Sequence, residues 1–469
     1  MHSLIKKDLK YIWHPYTQMK DLEKYPPILI EKAKGLKLYD IYGNFYYDTI
    51  SSWWCNVFGH NHPKIKRAIK EQLDRLEHVL FAGFTHKPAI EFAERLIKIA
   101  PKNLKKVFFS DNGSCSVEVA LKMSFCYWKN IGIKNKESFI SLDYGYHGDT
   151  IGAMAVSGIS LFNEKFKPLF FKSYKVKSPY CYRCPLNKDR KNCKIDCIKF
   201  VEDILKEKHN EISAFIIEPL LLAAGGMIVY PKEYLLMLRE LTYKYNVHLI
   251  LDEVATGFGR TGKFFASNYV NIEPDFMCLS KGITSGYLPF AVTLTTNKIY
   301  DAFYADYEEK KTFYHGHTYT ANPIASACAL ATLNIFKEED ILEKIRPKIE
   351  FFNLRLEKFK NLDIVGDVRK IGLVCGLELV KNRKTKKPFS FSERIGLKVY
   401  NLGLKRNLIL RPLGNVIYFF LPLIVDYKEL DYILDNTYKI LELLSIKERC
   451  TQLLLKQKCL KDFVGSIIG

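Results

Sequence analysis

A chain of 469 residues with 48% hydrophobic and 14% aromatic side chains holds enough apolar material for a large core, which excludes a disordered protein and suits two or three folding units. Lysine and arginine total 71 against 51 acids, a net charge of +20, yet the basic residues are spread along the whole chain, so no nucleic-acid partner is expected. Residues 1–13 lack the apolar stretch of an export signal, and the longest apolar tract, 214–231, is interrupted by Glu218, Pro219, Gly225 and Gly226. A cytoplasmic chain with reduced cysteines and no membrane association is the expectation.

In chain order, residues 36–40 and 45–48 read as two strands around the turn Tyr42-Gly43-Asn44, expected to pack with the C-terminal part of the chain. Continuous apolar runs at 106–110, 139–142, 214–217, 248–251 and 276–279 read as strands covered on both faces. Helical patterns such as 116–130 and 232–245 alternate with them, which predicts an α/β fold with a mostly parallel sheet. After about Asn334 the pattern changes to a long helical stretch, 338–360, then strands near 372–380 and 416–421, and an amphipathic helical tail over 447–469. The predicted organisation is 1–59 as the N-terminal part of a smaller α+β domain, 60–334 as the large domain and 335–469 as the rest of the smaller one. A cysteine-rich insertion falls at about 178–198.

The strand at 248–251 runs into Asp252, Glu253 and the glycine-rich Gly257-Phe258-Gly259-Arg260-Thr261-Gly262, and the next strand delivers Ser280-Lys281-Gly282. In a parallel sheet these strand ends face the binding crevice. Alone, an acid there is an ordinary solvated loop residue and a lysine an ordinary ammonium. Together they match what pyridoxal phosphate needs: an amine for its aldehyde and a carboxylate against its ring nitrogen. Ser110-Asp111-Asn112-Gly113-Ser114 follows a strand and opens a helix, so it reads either as a phosphate cradle or as a simple N-cap. Tyr144-Gly145-Tyr146-His147-Gly148-Asp149 offers an aromatic ring for stacking or for core packing, and Tyr314-His315-Gly316-His317-Thr318 offers hydroxyl and backbone donors.

These motifs, in this order and through nearly the whole chain, resemble the class III aminotransferases of fold type I. The carriers are Asp-Asn-Gly-Ser at Gly113, Gly-Tyr-His-Gly at Tyr146, Ile-Glu-Pro at Glu218, the Asp252 loop and Ser-Lys-Gly at Lys281. Trp13-His14-Pro15-Tyr16, Ser51-Ser52-Trp53-Trp54 and Arg411-Pro412 resemble the branch that aminates 8-amino-7-oxononanoate in biotin synthesis. The resemblance implies a homodimer with an active site shared between subunits. In it, Lys281 carries pyridoxal phosphate and moves the substrate proton, while Asp252 pairs with the ring nitrogen. Gly113 and Ser114 bind phosphate together with His317 and Thr318 of the neighbouring subunit. Tyr146 covers the ring, Tyr16 and Trp53 shape the substrate site beside Gly316, Asp149 orients Tyr146 and Tyr16, and Arg411 takes the substrate carboxylate.

The amino donor implied is S-adenosylmethionine, the commoner in the branch, or lysine, whose users resemble this chain at His317 and at Gly286-Tyr287-Leu288-Pro289. Leu222 stands where many class III enzymes have a glutamine that touches the cofactor. Cys181, Cys184, Cys193 and Cys197 allow either a thiolate zinc site or a surface insertion with free thiols, in neither case part of the transfer chemistry. The rival functions are another ω-amino-acid aminotransferase and a zinc-bearing nucleic-acid binder; the second leaves Asp252 and Lys281 unexplained.

Overall fold

The computed structural model describes residues 1–468, with side chains described through Cys450. Seven strands form the central sheet, in the spatial order Leu104–Ser110, Ala291–Thr296, Phe276–Leu279, His248–Asp252, Ile212–Ile217, Ser138–Leu142 and Ser173–Val176. Ala291–Thr296 is antiparallel to both of its neighbours, and every other pairing is parallel. The strands Phe276–Leu279 and His248–Asp252 are buried along their whole length. Burial on both faces leaves no place for polar alternation, hence the continuous apolar runs in the sequence. The helix Gly113–Asn130 crosses one face, and behind the first strand Phe92 meets Phe290 edge to face while Phe109 lies tilted against both.

A second sheet is antiparallel: Val365–Ile371 pairs with Val374–Asn382, which pairs with Val416–Phe420. The helical stretch expected over 338–360 is found as a helix Ile341–Leu356 continued by a 3-10 helix Glu357–Asn361, starting three residues later than expected. One helix ends at Glu338 and the next runs Ile341–Leu356, because Asp340 takes a left-handed conformation (φ 45°) that breaks the turn. The N-terminal strands Lys37–Asp40 and Phe45–Tyr47 join the C-terminal half: Tyr47 bridges to Leu408, and Ser51 Oγ donates to Phe420 O at 2.6 Å. A helix covers Tyr427–Ile468, but the amphipathic character expected of 447–469 lies largely outside the described side chains.

The cysteine-rich insertion is braced against the second sheet. Arg183 and Arg369 both pair with the buried Glu378, at 2.6 and 2.8 Å, and the Tyr180 hydroxyl donates to the same carboxylate. No helix among the described residues is long and apolar enough to cross a membrane.

Candidate active site

The C-terminal ends of the central strands open into a cavity of about 750 Å³ lined by residues from Trp54 to Phe290. Asp252 is the last residue of its strand and lies opposite Cys278 on the next one, two residues short of the Ser280-Lys281 turn. Both side chains therefore reach the same cavity, as the strand-end argument requires. Lys281 sits at φ 47°, a left-handed conformation that costs an L-residue roughly 1–2 kcal/mol and is kept only where its surroundings enforce it. Desolvation holds the Lys281 ammonium below the usual lysine range, against the opposing pull of Asp252 and Glu218. More of its amine is thus free to attack an aldehyde at neutral pH.

Asp252 is held firmly. Its Oδ2 lies 2.7 Å from His147 Nδ1, and its Oδ1 accepts the Val254 N–H at 3.1 Å. His147 is buried, and its Nε2 has no partner among the described residues. The motif around Tyr146 was legible in the sequence, but this role of His147 was not, because 105 residues separate it from Asp252. Glu218 also lines the cavity and accepts N–H donors from Tyr146 (3.0 Å) and Ala223 (2.9 Å); burial and the charge on Asp252 push its carboxyl up to about 8.

Asn112 caps the helix Gly113–Asn130, its side chain accepting the Cys115 N–H at 3.0 Å. The N–H groups of Gly113 and Ser114 are left without an intrahelical acceptor at the positive end of the helix dipole, and both residues line the cavity. A Cβ on Gly113 would come within 2.6 Å of Val254 Cγ1, and one on Gly148 within 2.3 Å of Ser114 Oγ. Both approaches need glycine. Thr150 completes the cradle: its hydroxyl lies 2.7 Å from Ser114 Oγ. Thr150 follows Asp149 directly in the motif that contains Tyr146, but only the fold brings it to Ser114, 36 residues away.

Asp149 joins two tyrosines, accepting from Tyr16 OH at 2.6 Å and from Tyr146 OH at 3.0 Å. Burial and Asp149 push the Tyr16 phenol up to about 12, and burial first, then Tyr16 and Asp149, push Tyr146 further, so both stay protonated donors. Beyond Tyr16, Arg411 stacks on Trp53 with its guanidinium 4.2 Å from the ring, and Tyr16 meets Trp53 edge-on at 5.8 Å. Tyr16 and Arg411 border a second cavity of about 870 Å³. Trp54, not Trp53, lines the first cavity, with Lys281 Nζ 5.4 Å from its ring.

Gly316, His317 and Thr318 do not line this cavity. Their loop is anchored instead by His315 to Lys122, nine residues along the helix from Gly113, which is about 13 Å from the cradle. Leu222 is fully buried in the core and does not line this cavity. The four cysteines of the insertion line one small cavity, and burial together with the neighbouring thiols pushes Cys197 up to about 12. Every described cysteine is free, and among the described residues no group of three or more metal-type side chains is arranged to hold an ion.

A flat ring with an aldehyde on one side, a nitrogen on the other and a phosphate at its edge fits these donors: Lys281, Asp252 backed by His147, and the Gly113–Ser114 amides. The chain belongs to the class III aminotransferases, whose family model matches residues 19–441. That family is pyridoxal-phosphate dependent. An adenosylmethionine-8-amino-7-oxononanoate aminotransferase of Aquifex aeolicus is 47% identical over 441 residues, covering 92% of this chain and 96% of the relative. The crystal structure of the Methanocaldococcus jannaschii enzyme of the same name superposes with a TM-score of 0.90 at 43% identity, covering 94% of this chain and 98% of that one. An omega transaminase from Pseudomonas jessenii in complex with PMP gives a TM-score of 0.89 at 32% identity, covering 94% and 98%.

Proposed function

We propose that this chain converts 8-amino-7-oxononanoate into 7,8-diaminononanoate, with S-adenosylmethionine as amino donor, as a cytoplasmic homodimer holding pyridoxal phosphate. The observation that carries the reading is that two neighbouring cavities are joined through one carboxylate: Asp149 lines the first and accepts the hydroxyl of Tyr16, which borders the second. Lys281 and Asp252 lie at one end, and Arg411, stacked on Trp53 and bordered by Tyr16, lies at the other. An aliphatic oxo acid suits that layout, its carboxylate at Arg411 and its carbonyl toward Lys281.

When bound, pyridoxal phosphate supplies an aldehyde and an electron-accepting ring. Lys281 Nζ would hold the cofactor through its aldehyde, and its amine is the group placed to move a proton on or off the substrate carbon. Asp252 holds positive charge at the ring nitrogen, and His147 fixes the carboxylate's direction. Gly113 and Ser114 hold the phosphate by their N–H groups, with Thr150 closing the cradle and His317 and Thr318 reaching in from the second subunit. Tyr146 covers the ring. Asp149 keeps the Tyr16 and Tyr146 hydroxyls pointed at one place, which would orient the substrate between Tyr16 and Trp53, with Gly316 reaching its side from the second subunit together with His317 and Thr318. Donor and acceptor use the same groups in turn, so the two half-reactions alternate.

The test is a half-reaction. Enzyme loaded with pyridoxal phosphate is mixed with S-adenosylmethionine, or with lysine, and the cofactor absorbance is followed. Bleaching by S-adenosylmethionine, reversed by 8-amino-7-oxononanoate, is the expected result. Bleaching by lysine alone overturns the donor, and no reversal by the oxo acid overturns the function.

A further inference from the structure

The turn at Ser51–Trp54 is left-handed. Ser51, Ser52, Trp53 and Trp54 have φ of 51°, 45°, 72° and 75°, and none is glycine. Ser52 and Trp53 have ψ of 53° and 46°, so they fall in the left-handed helical region. Helical hydrogen bonds close it: Trp54 N–H donates to Ile50 O at 2.8 Å and Cys55 N–H to Ser51 O at 3.0 Å. Such a turn of L-residues does not persist unaided.

Arg260 holds it. This guanidinium is almost fully buried, and its hydrogen bonds all end on neutral oxygens: Ser51 Oγ (3.0 Å), Leu421 O (3.0 Å), Trp54 O (3.2 Å) and Asn56 O (2.7 Å). Asp48 takes the Ser52 N–H and hydroxyl from the other side, at 2.8 and 2.7 Å. Trp54 is then locked inward, its indole N–H 3.2 Å from Tyr418 OH and its ring stacked on Phe420.

Handedness decides where Trp53 goes. One residue is about 100° of rotation on a helix, so reversing the hand with Trp54 fixed swings Trp53 by about 160° around the axis. The left-handed turn sends Trp54 to Lys281 and Trp53 to Arg411.

We propose that this left-handed turn sets the carboxylate specificity of the site by sending Trp54 toward Lys281 and Trp53 to Arg411, and that Arg260 is the positioning residue that keeps it left-handed. The proposal rests on Arg411 taking the substrate carboxylate.

The experiment compares KM for 8-amino-7-oxononanoate and for its carboxamide, which carries no charge to form an ion pair with Arg411, in the loaded full-length enzyme. Arg260→Lys raises KM for the acid at least tenfold and for the carboxamide less than threefold. Adding Ser52→Gly, which relieves the left-handed penalty, brings KM for the acid back to within threefold of wild type. Ser52→Val, a branched residue at φ 45°, reproduces the rise with Arg260 intact, and decides the matter if Arg260→Lys does not fold. An unchanged KM for the acid, an equal rise for both compounds, or no recovery with Ser52→Gly overturns the proposal. Wild-type enzyme that does not use the acid at all defeats the functional reading instead.

Discussion

Replacing Arg411 by leucine removes the positive charge stacked on Trp53 beside Tyr16, and its cost can be worked from the geometry. The guanidinium is half-buried and stacked on the Trp53 ring at 4.2 Å, and it makes no ion pair with any described carboxylate, so its charge is available to a ligand. A carboxylate at ~4 Å gains about 4 kcal/mol at an effective dielectric near 20. Partial exposure to water reduces that to roughly 2–3 kcal/mol. At about 1.4 kcal/mol per tenfold, kcat/KM for 8-amino-7-oxononanoate should fall about 30- to 150-fold. The carboxamide, lacking the charge, should lose less than about threefold, because leucine keeps apolar contact with Trp53. The assay is steady-state turnover of both compounds by wild type and Arg411→Leu at saturating donor. A variant that still prefers the acid by the wild-type factor refutes the assignment of the carboxylate to this residue.

Lys281→Ala should leave the circular dichroism unchanged and reduce turnover to background; retained turnover removes the reading of Lys281 as the amine. Asp252→Asn should lower kcat roughly a hundredfold while cofactor still binds through the Gly113 cradle, measured by turnover and cofactor absorbance together. Mixing inactive Lys281→Ala subunits with Thr318→Asp subunits should restore activity, since one site of each hybrid carries neither defect; no recovery argues against a shared site. Lys175, bonded to Ser141, Ser173 and a backbone carbonyl, is pushed down to about 7 by burial. Between pH 10.5 and about 7 the unfolded chain binds a proton there that the folded chain does not, so stability should fall as pH is lowered through that window. Urea midpoints at both ends should show this slope, and Lys175→Met should flatten it.

Much of the central sheet was legible because parallel strands covered on both faces leave continuous apolar runs. Two strands escaped that signal. Ser173–Val176 is an edge strand carrying Lys175, and Ala291–Thr296 alternates threonine with aliphatic residues although every position but the last is buried. Its threonines are accommodated by local acceptors: Thr293 donates to Ser116 O at 2.7 Å and Thr295 to Asp275 O at 3.1 Å. Sequence patterning does not see such partners.

Strand-end position alone brought Asp252 and Lys281 together, because consecutive parallel strands deliver their last residues to one crevice, and a glycine before a helix marked the cradle at Gly113. Those relations are local or one strand apart. His147 against Asp252, Tyr16 on Asp149, and Arg411 on Trp53 join residues 105, 133 and 358 positions apart (411 less 53 for the last). No periodicity encodes such distances. The division of labour between Trp53 and Trp54 depends on backbone handedness, which four non-glycine residues would not adopt unless Arg260, from another part of the chain, enforced it. Residue type and alternation determined the layers and the chemistry on offer; packing decided which of those groups share a volume and which way each one faces.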